Sequence, residues 1–333
     1  MRLGDSAPAD DCLAATGYRF SVCIAAYNEA ARIGRLLDQL MVADANELDE
    51  IVVCANGCED GTEAVVNSYR SRDSRIVLVT SEKGKPAAWN TLMHAARNDL
   101  RMFLDADVEL AEGFLSAMRT AVQSHPSAAI IAARDLPRMR DPGVGPRLAA
   151  LASRPFGFDY LCGRAYILRQ NAMAGAVQLK EGPIDQVSSE MPLHVLAEDL
   201  WLEVYVGRRS IAFARDAHVY YEPGDVDDAL RARARLRVAR RQVCTMQPEA
   251  FARWRTDFNG SSSLYARVRH RLLTTDGITD AVKCTFGAAV RSVLLVLNRA
   301  TVRHMEAEML RQMSREGGQA VLSGSGRLKK KAS

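Results

Sequence analysis

Residues 100–107, LRMFLDAD, decide how the chain is read. A short apolar run ends there in two aspartates one residue apart, Asp105 and Asp107. An apolar run of this length next to turn chemistry reads as a buried strand. Repelling acids at a strand end cost stability unless a cation offsets them. A hard divalent cation, Mg2+ or Mn2+, takes oxygen ligands from one or two carboxylates together with substrate phosphates. The pair is therefore a candidate platform for a metal-bound diphosphate. An acidic turn closing a strand is the plainer reading, and an Asp-x-Asp pattern is short enough to recur by chance.

The pattern repeats upstream. Residues 20–26, FSVCIAA, form a β-prone run, and Ile33, Leu36, Leu37 and Leu40 follow at helical spacing. Glu50 to Cys54 is a second strand, leading through a loop to a helix from Thr62 to Arg70 with Ala64, Val65 and Tyr69 as its inner face. Arg75 to Thr80 is a third, before a helix from Pro86 to Arg97 with proline in its first turn. Strands alternating with helices in this way predict an α/β fold, doubly wound around a mainly parallel sheet. Ligands bind such sheets at the carboxyl ends of the strands. The loops YNE (27–29), CANGCEDGT (54–62), EKGKPAAWN (82–90) and DAD (105–107) all fall at that edge.

Downstream, a helix is expected from Gly113 to Val122 and a strand from Ala128 to Ala133, then a Pro-, Gly- and Arg-rich connection over 135–154. A helix over Ala197 to Val206, short strands at Ile211 to Ala214 and His218 to Tyr221, and a long Arg-rich helix over Val226 to Val243 complete the main body. Further helices are expected around Leu264 to Leu273 and Asp280 to Arg299, the second continuing toward Met313. The predicted division is a flexible N-terminus (1–18), one domain over 19–245 with a nucleotide half (19–135) and an acceptor half (136–245), a helical region (246–313) and a disordered basic tail (314–333).

The 333 residues, 48% apolar and 25% charged, suffice for a full core and exclude disordered and fibrous classes. A formal net charge of +4 is too mild to argue for nucleic-acid binding. Seven cysteines at irregular spacings read as reduced thiols, which predicts a cytoplasmic protein. The opening MRLGDSAPADDC carries no apolar stretch and does not read as a secretory signal. The stretch from Gly287 to Leu297, interrupted by Arg291, is well short of the roughly 18 to 20 apolar residues that span a bilayer. The C-terminal helices, with Arg267, Arg271 and Arg291, suit either a homodimer or a peripheral contact at the inner face of the membrane, and both stay open.

The ordered series AAYNEAARIG (25–34), VVCANGCEDGT (52–62), KGKPAAWN (83–90) and FLDAD (103–107) resembles the family 2 glycosyltransferases with the GT-A fold. The resemblance is close over about residues 20–135 and, through LAEDLWL (196–202), extends more loosely to about residue 241. It implies an inverting, metal-dependent transfer of one sugar from a nucleoside-diphosphate sugar, a UDP-sugar favoured, with Mn2+ or Mg2+ as cofactor. It assigns nucleotide contacts to Ala25, Tyr27 and Glu29 of the first loop. Family members usually carry two acids and a serine in the second loop. Here Ala55, Asn56 and Cys58 stand in those places, which weakens the assignment of uracil, although Asn56 still offers a donor and an acceptor. Asp60 reads as the cap of the helix at Thr62.

By the same resemblance Lys85 faces the diphosphate, Asp105 reaches ribose or metal, and Asp107 is the principal metal ligand. Asn90 either bridges its loop to the metal strand or is structural. Asp199, in AEDLWLEV, is the implied general base, with Glu198 capping the helix start beside it. Gly163 and Arg164 fall near the family's acceptor-side glycine segment, although a turn between strands explains them equally well, and Glu198 is placed with Arg164 on the acceptor or diphosphate side. His218, in DAHVYYEP, stands where some relatives supply a third metal ligand, although a lone strand histidine is more often packed. Arg233, Arg237 and Arg241 share one helix face; Arg237 and Arg241 reach the diphosphate or an acidic acceptor, or form a solvated basic face. The QxxRW segment of processive relatives is absent, ARRQVC (239–244) standing in its place, which argues for single transfers.

Two other functions fit the same fold. A sugar nucleotidyltransferase needs a Gly-rich basic loop after the first strand, which AAYNEAARIG does not provide. A catalytically inactive nucleotide-sugar binding protein is suggested only by Ala55 and the unusual second loop. The acceptor, whether small molecule, glycan or lipid-linked, is not legible in the sequence.

Overall fold

The computed structural model describes residues 18–43, 48–138, 143, 161–171, 190–259, 289–290 and 292–315. Eight strands form one sheet: β1 (Phe20–Ala26), β2 (Glu50–Asn56), β3 (Ile76–Ser81), β4 (Leu100–Asp105), β5 (Glu109–Leu110), β6 (Ile130–Pro137), β7 (Ala165–Arg169) and β8 (Ile211–Tyr221). Their spatial order is β3-β2-β1-β4-β7-β6-β8-β5. β1 lies between β2 and β4, and β2 beside β3, all parallel, as alternating strands and helices require. β7 then runs antiparallel to both β4 and β6, while β6 and β8 are again parallel. The mainly parallel α/β expectation holds, with the antiparallel β7 set in the middle.

Both sheet faces are covered, so the strands alternate between two apolar layers rather than between oil and water. Val22 and Ile24, Ile51 and Val53, and Met102 and Leu104 face one layer. It is closed by α1 (Ile33–Met41), through Ile33, Leu36, Leu37 and Leu40, and by α4 (Phe114–Ser124), through Phe114, Met118 and Val122. Cys23, Val52, Cys54 and Phe103 face the other layer, closed by α3 (Lys85–Ala95) and α5 (Glu198–Val206) through Trp89, Leu92, Leu200, Trp201 and Val204. α2 (Thr62–Arg70) buries Thr62 and Val66; Val65 and Tyr69 are half-buried, but Ala64 is exposed, contrary to the expected inner face.

Two expected features are corrected. The region read as two short strands is the single strand β8, whose register against β6 shifts between Ala132 and Arg134 opposite exposed Arg215 and Asp216. A bulge of this kind breaks the hydrophobic alternation without ending the strand. The basic face of α6 (Val226–Met246) is directed at α8 (Arg299–Arg315), not at the strand ends. Arg237 Nη1 lies 2.9 Å and Arg241 Nη2 3.6 Å from the buried carboxylate of Glu306, beside a small apolar contact of Leu230 and Ala234 with Val302. These arginines therefore pair with a buried acid.

α7 (Pro248–Asn259) follows α6. The helix expected over Leu264 to Leu273, the 1–17 part of the N-terminus and the 316–333 part of the tail lie outside the described residues. Among the described residues no helix is long and apolar enough to cross a membrane.

Candidate functional site

Side chains at the end of β4 take their directions from the strand. Phe103 faces the α3 and α5 layer, and with a period of two Asp105 faces it as well. Lys85, the first residue of α3, meets Asp105 there, with Nζ 2.8 Å from Oδ1. The same ammonium is 2.5 Å from Glu198 Oε1, so one cation joins β4 to the start of α5. Burial alone would lower the ionisation point of Lys85, and the charges of Asp105 and Glu198 outweigh that and raise it well above its usual range. Beneath this contact the rings of Trp89, Phe103 and Tyr166 stack, with centroids 5.6 and 5.1 Å apart, and Trp89 Nε1 donates to the Tyr166 hydroxyl at 3.0 Å. The stack fixes α3, β4 and β7 to one another and hence fixes the Lys85 backbone against Asp105.

The turn after β4 sends Asp107 the other way, beside a cavity lined by residues that include Arg32, Glu109, Arg138, Tyr220, Tyr221 and Glu222. Arg32 Nη1 is 3.9 Å from Asp107 Oδ2, and its Nε holds Glu29 at 2.9 Å. Arg164 sits just before β7, and because β7 runs antiparallel to β4 its carbonyl accepts the Asp105 N–H at 2.9 Å. Its guanidinium donates to buried Asp135 at 3.0 Å and lies 3.8 Å from the Tyr221 ring centroid. Burial, then the charge of Asp105, pushes the Asp107 carboxyl up, while Arg164 and Arg32 pull it back. Two carboxylates in mutual repulsion suit one hard cation. Among the described residues no group of three or more His, Cys, Asp or Glu could hold a metal. A Mg2+ or Mn2+ ion held by Asp105 and Asp107 would thus have to complete its shell from phosphate and water.

Glu198 and Asp199 open α5. Glu198 does not cap the helix as expected; its carboxylate is the second anchor of Lys85. Asp199 accepts the Leu200 N–H at 2.8 Å, and burial, reinforced by the Glu198 charge, pushes its carboxyl up to about 6, with Lys85 pulling the other way. Gly163 packs directly on this pair: a Cβ there would lie 2.7 Å from Glu198 Oε1 and 3.4 Å from Asp199 Cβ. A methyl group would force Glu198 off Lys85. Gly163→Ala is expected to lower turnover about tenfold, about 1.4 kcal/mol in the barrier, while moving the melting temperature little; kinetics paired with a thermal melt read both.

Residues 21–172 match the family described as glycosyl transferase family 2. Over that segment, a little under half of the chain, the sequence is similar to glycosyltransferase family 2. The glycosyltransferase YfnE of Bacillus subtilis, itself uncharacterized, is 30% identical over 98 residues, 29% of this chain and 25% of that protein. The glycosyltransferase AglD of Haloferax volcanii is 29% identical over 167 residues, 45% of this chain and 26% of that protein. The chain thus spans about a quarter of the length of the curated relatives it matches. Among solved structures, the mannosyltransferase PcManGT from Pyrobaculum calidifontis, in complex with GDP-Man and Mn2+, is 17% identical with a TM-score of 0.47, over 92% of this chain and 85% of that one. TarS from S. aureus, in complex with UDP-GlcNAc, is 15% identical with a TM-score of 0.45, over 90% and 92%.

The remaining residues marked by the resemblance fall as follows. Ala25 ends its strand in register with Cys54 and Asp105. Tyr27 is 40% exposed, with the Lys83 ammonium 4.5 Å from its ring centroid. Glu29 is turned to Arg32, and burial pushes its carboxyl up. Asn56 is buried and its Oδ1 accepts the Gly84 N–H at 3.0 Å, tying the second loop to the third. Asp60 accepts from the backbone of Thr62 and of Ala30, both at 3.0 Å, which joins the first two loops; the N-cap of α2 is Gly61, with no side-chain cap hydrogen bond, so Asp60 is not the cap expected. Asn90 is structural: its amide exchanges two 2.8 Å hydrogen bonds with the backbone of Met191 and does not bridge to β4. His218 is paired in register with Arg134, and the β8 residues that line the cavity beside Asp107 are Tyr220 and Tyr221. Arg32, Asp135 and Tyr221 were not singled out from sequence, and no spacing pattern marks them.

Proposed function

We propose that the chain transfers a single sugar from a nucleoside-diphosphate sugar to an acceptor hydroxyl, with inversion at the anomeric carbon. The observation that carries the reading is the Lys85 contact to both Asp105 and Glu198, which gathers the strand-end acids and the acidic start of α5 into one site. The match of residues 21–172 to glycosyl transferase family 2 supports the reaction class. Asp107 and Asp105 would hold Mg2+ or Mn2+, which when bound neutralises charge on the leaving diphosphate. Tyr27 and the Asn56 amide nitrogen would face the nucleotide, with Ala25 and Glu29 shaping that loop, and Arg164 would add positive charge on the diphosphate side.

Asp199 takes the proton of the acceptor hydroxyl as its oxygen attacks C1 from the face opposite the diphosphate. The C1–phosphate oxygen bond breaks, and the nucleoside diphosphate leaves with the bonding electrons. A carboxyl pushed up to about 6 is a stronger base than an ordinary aspartate and is still ionised at neutral pH. The test is to incubate the full chain with UDP-, GDP-, CDP- and dTDP-sugars and Mn2+ and to identify the released phosphate species. Nucleoside diphosphate is the expected product. Pyrophosphate would point to a nucleotidyltransferase, and binding without turnover of any of the four would point to a sensor.

A further inference from the structure

Lys85 occupies the carboxylate that the proposed metal needs. Its Nζ lies 2.8 Å from Asp105 Oδ1 and 2.5 Å from Glu198 Oε1. The backbone that carries it is held in place: Gly84 donates to Asn56, Pro86 and Ala88 are buried, and Trp89 is locked in the ring stack with Phe103 and Tyr166. Glu198 lies close beside Gly163, where an added Cβ would come within 2.7 Å of its Oε1. A hard divalent cation binds carboxylate oxygen at about 2.0–2.1 Å. An ammonium and such an ion on one carboxylate repel each other strongly in a partly desolvated site.

We propose that Lys85 is an internal counter-cation, which fills the place of the metal on Asp105 until the diphosphate of the donor draws the ammonium away, so that nucleotide and metal bind with positive coupling through this one side chain. The inference rests on the reading of Asp105 and Asp107 as the metal acids. The pair of carboxylates on Lys85 lets the ammonium swing from Asp105 toward phosphate while it keeps Glu198, at no cost in a newly unpaired buried acid. Coupling is reciprocal, so the metal must raise nucleotide affinity by the same factor as the nucleotide raises metal affinity.

The experiment is direct Mn2+ binding to the full chain, by calorimetry or by the Mn2+ resonance signal, without nucleotide and with saturating UDP or GDP. The wild-type chain is expected to bind Mn2+ weakly alone and about tenfold or more tightly with nucleotide, within the usual range of coupling. Lys85→Met is expected to bind Mn2+ alone about tenfold more tightly than wild type, with the gain from nucleotide reduced to about twofold. Unchanged or weaker nucleotide-free binding in Lys85→Met, or undiminished coupling, overturns the inference while leaving the metal assignment intact. Should Lys85→Met fail to fold, Glu198→Gln serves: Lys85 then pairs with Asp105 alone, and nucleotide-free Mn2+ binding is expected to weaken, with unchanged or tighter binding overturning the proposal. If wild type takes up no Mn2+ even with nucleotide, the metal reading itself fails, and this inference with it.

Discussion

Asp107→Ala is expected to lower sugar transfer about a thousandfold at saturating Mn2+, equivalent to about 4 kcal/mol of barrier. The side chain lies beyond the strand end beside Asp105, with Arg32 at 3.9 Å and Arg164 near enough to pull its ionisation down. Burial and Asp105 push that carboxyl up, which means the folded chain holds it charged at a cost. Removing it relieves repulsion, so the melting temperature should stay level or rise while turnover collapses. Loss of activity together with loss of folding would instead place Asp107 among the structural acids. Steady-state kinetics and a melting curve on the same preparation separate the two.

Asp199→Asn is the second large effect, about 10²- to 10⁴-fold, the usual contribution of a positioned base. The amide keeps the shape and the Leu200 hydrogen bond but cannot accept the proton. The loss should fall on kcat with the donor KM unchanged, because the proton moves only in the transition state. In the wild-type chain kcat/KM should climb as pH rises through about 6 and level off above it, since the carboxyl must be ionised to act. The stability sign runs the opposite way. A carboxyl whose folded value lies above its unfolded one favours folding when protonated, and that contribution is lost as pH rises through about 6. Asp199→Asn should therefore raise the melting temperature at pH 8 and change it less at pH 5. A flat pH profile between 5 and 7 would remove Asp199 from the reaction.

The parts of the fold legible in the sequence were those governed by local periodicity. Ile33, Leu36, Leu37 and Leu40 marked α1 by helical spacing, and α2 was bounded correctly at Thr62 and Arg70. The strand-end position of Asp105 and Asp107 followed from the apolar run before them. Contacts across long sequence distances were not legible. The Glu198 carboxylate reads as a helix cap because acids favour a helix start, yet it is used by Lys85, which only the meeting of the first residues of α3 and α5 in the folded chain brings near. Arg237 and Arg241 reveal a shared face by spacing, but spacing does not name what that face meets, and the partner Glu306 belongs to a helix far along the chain. The bulge in β8 and the Asp135–Arg164–Tyr221 contact are tertiary features with no local pattern to announce them.

The central claim is that Asp105 and Asp107 join a divalent cation to the donor diphosphate. Calorimetric titration of UDP and GDP into the chain, with and without Mn2+, tests it most directly when wild type is compared with Asp107→Ala. The account predicts that Mn2+ strengthens nucleotide binding to wild type about tenfold or more and adds little to the variant. An equal gain in both proteins, or none in wild type, would contradict it.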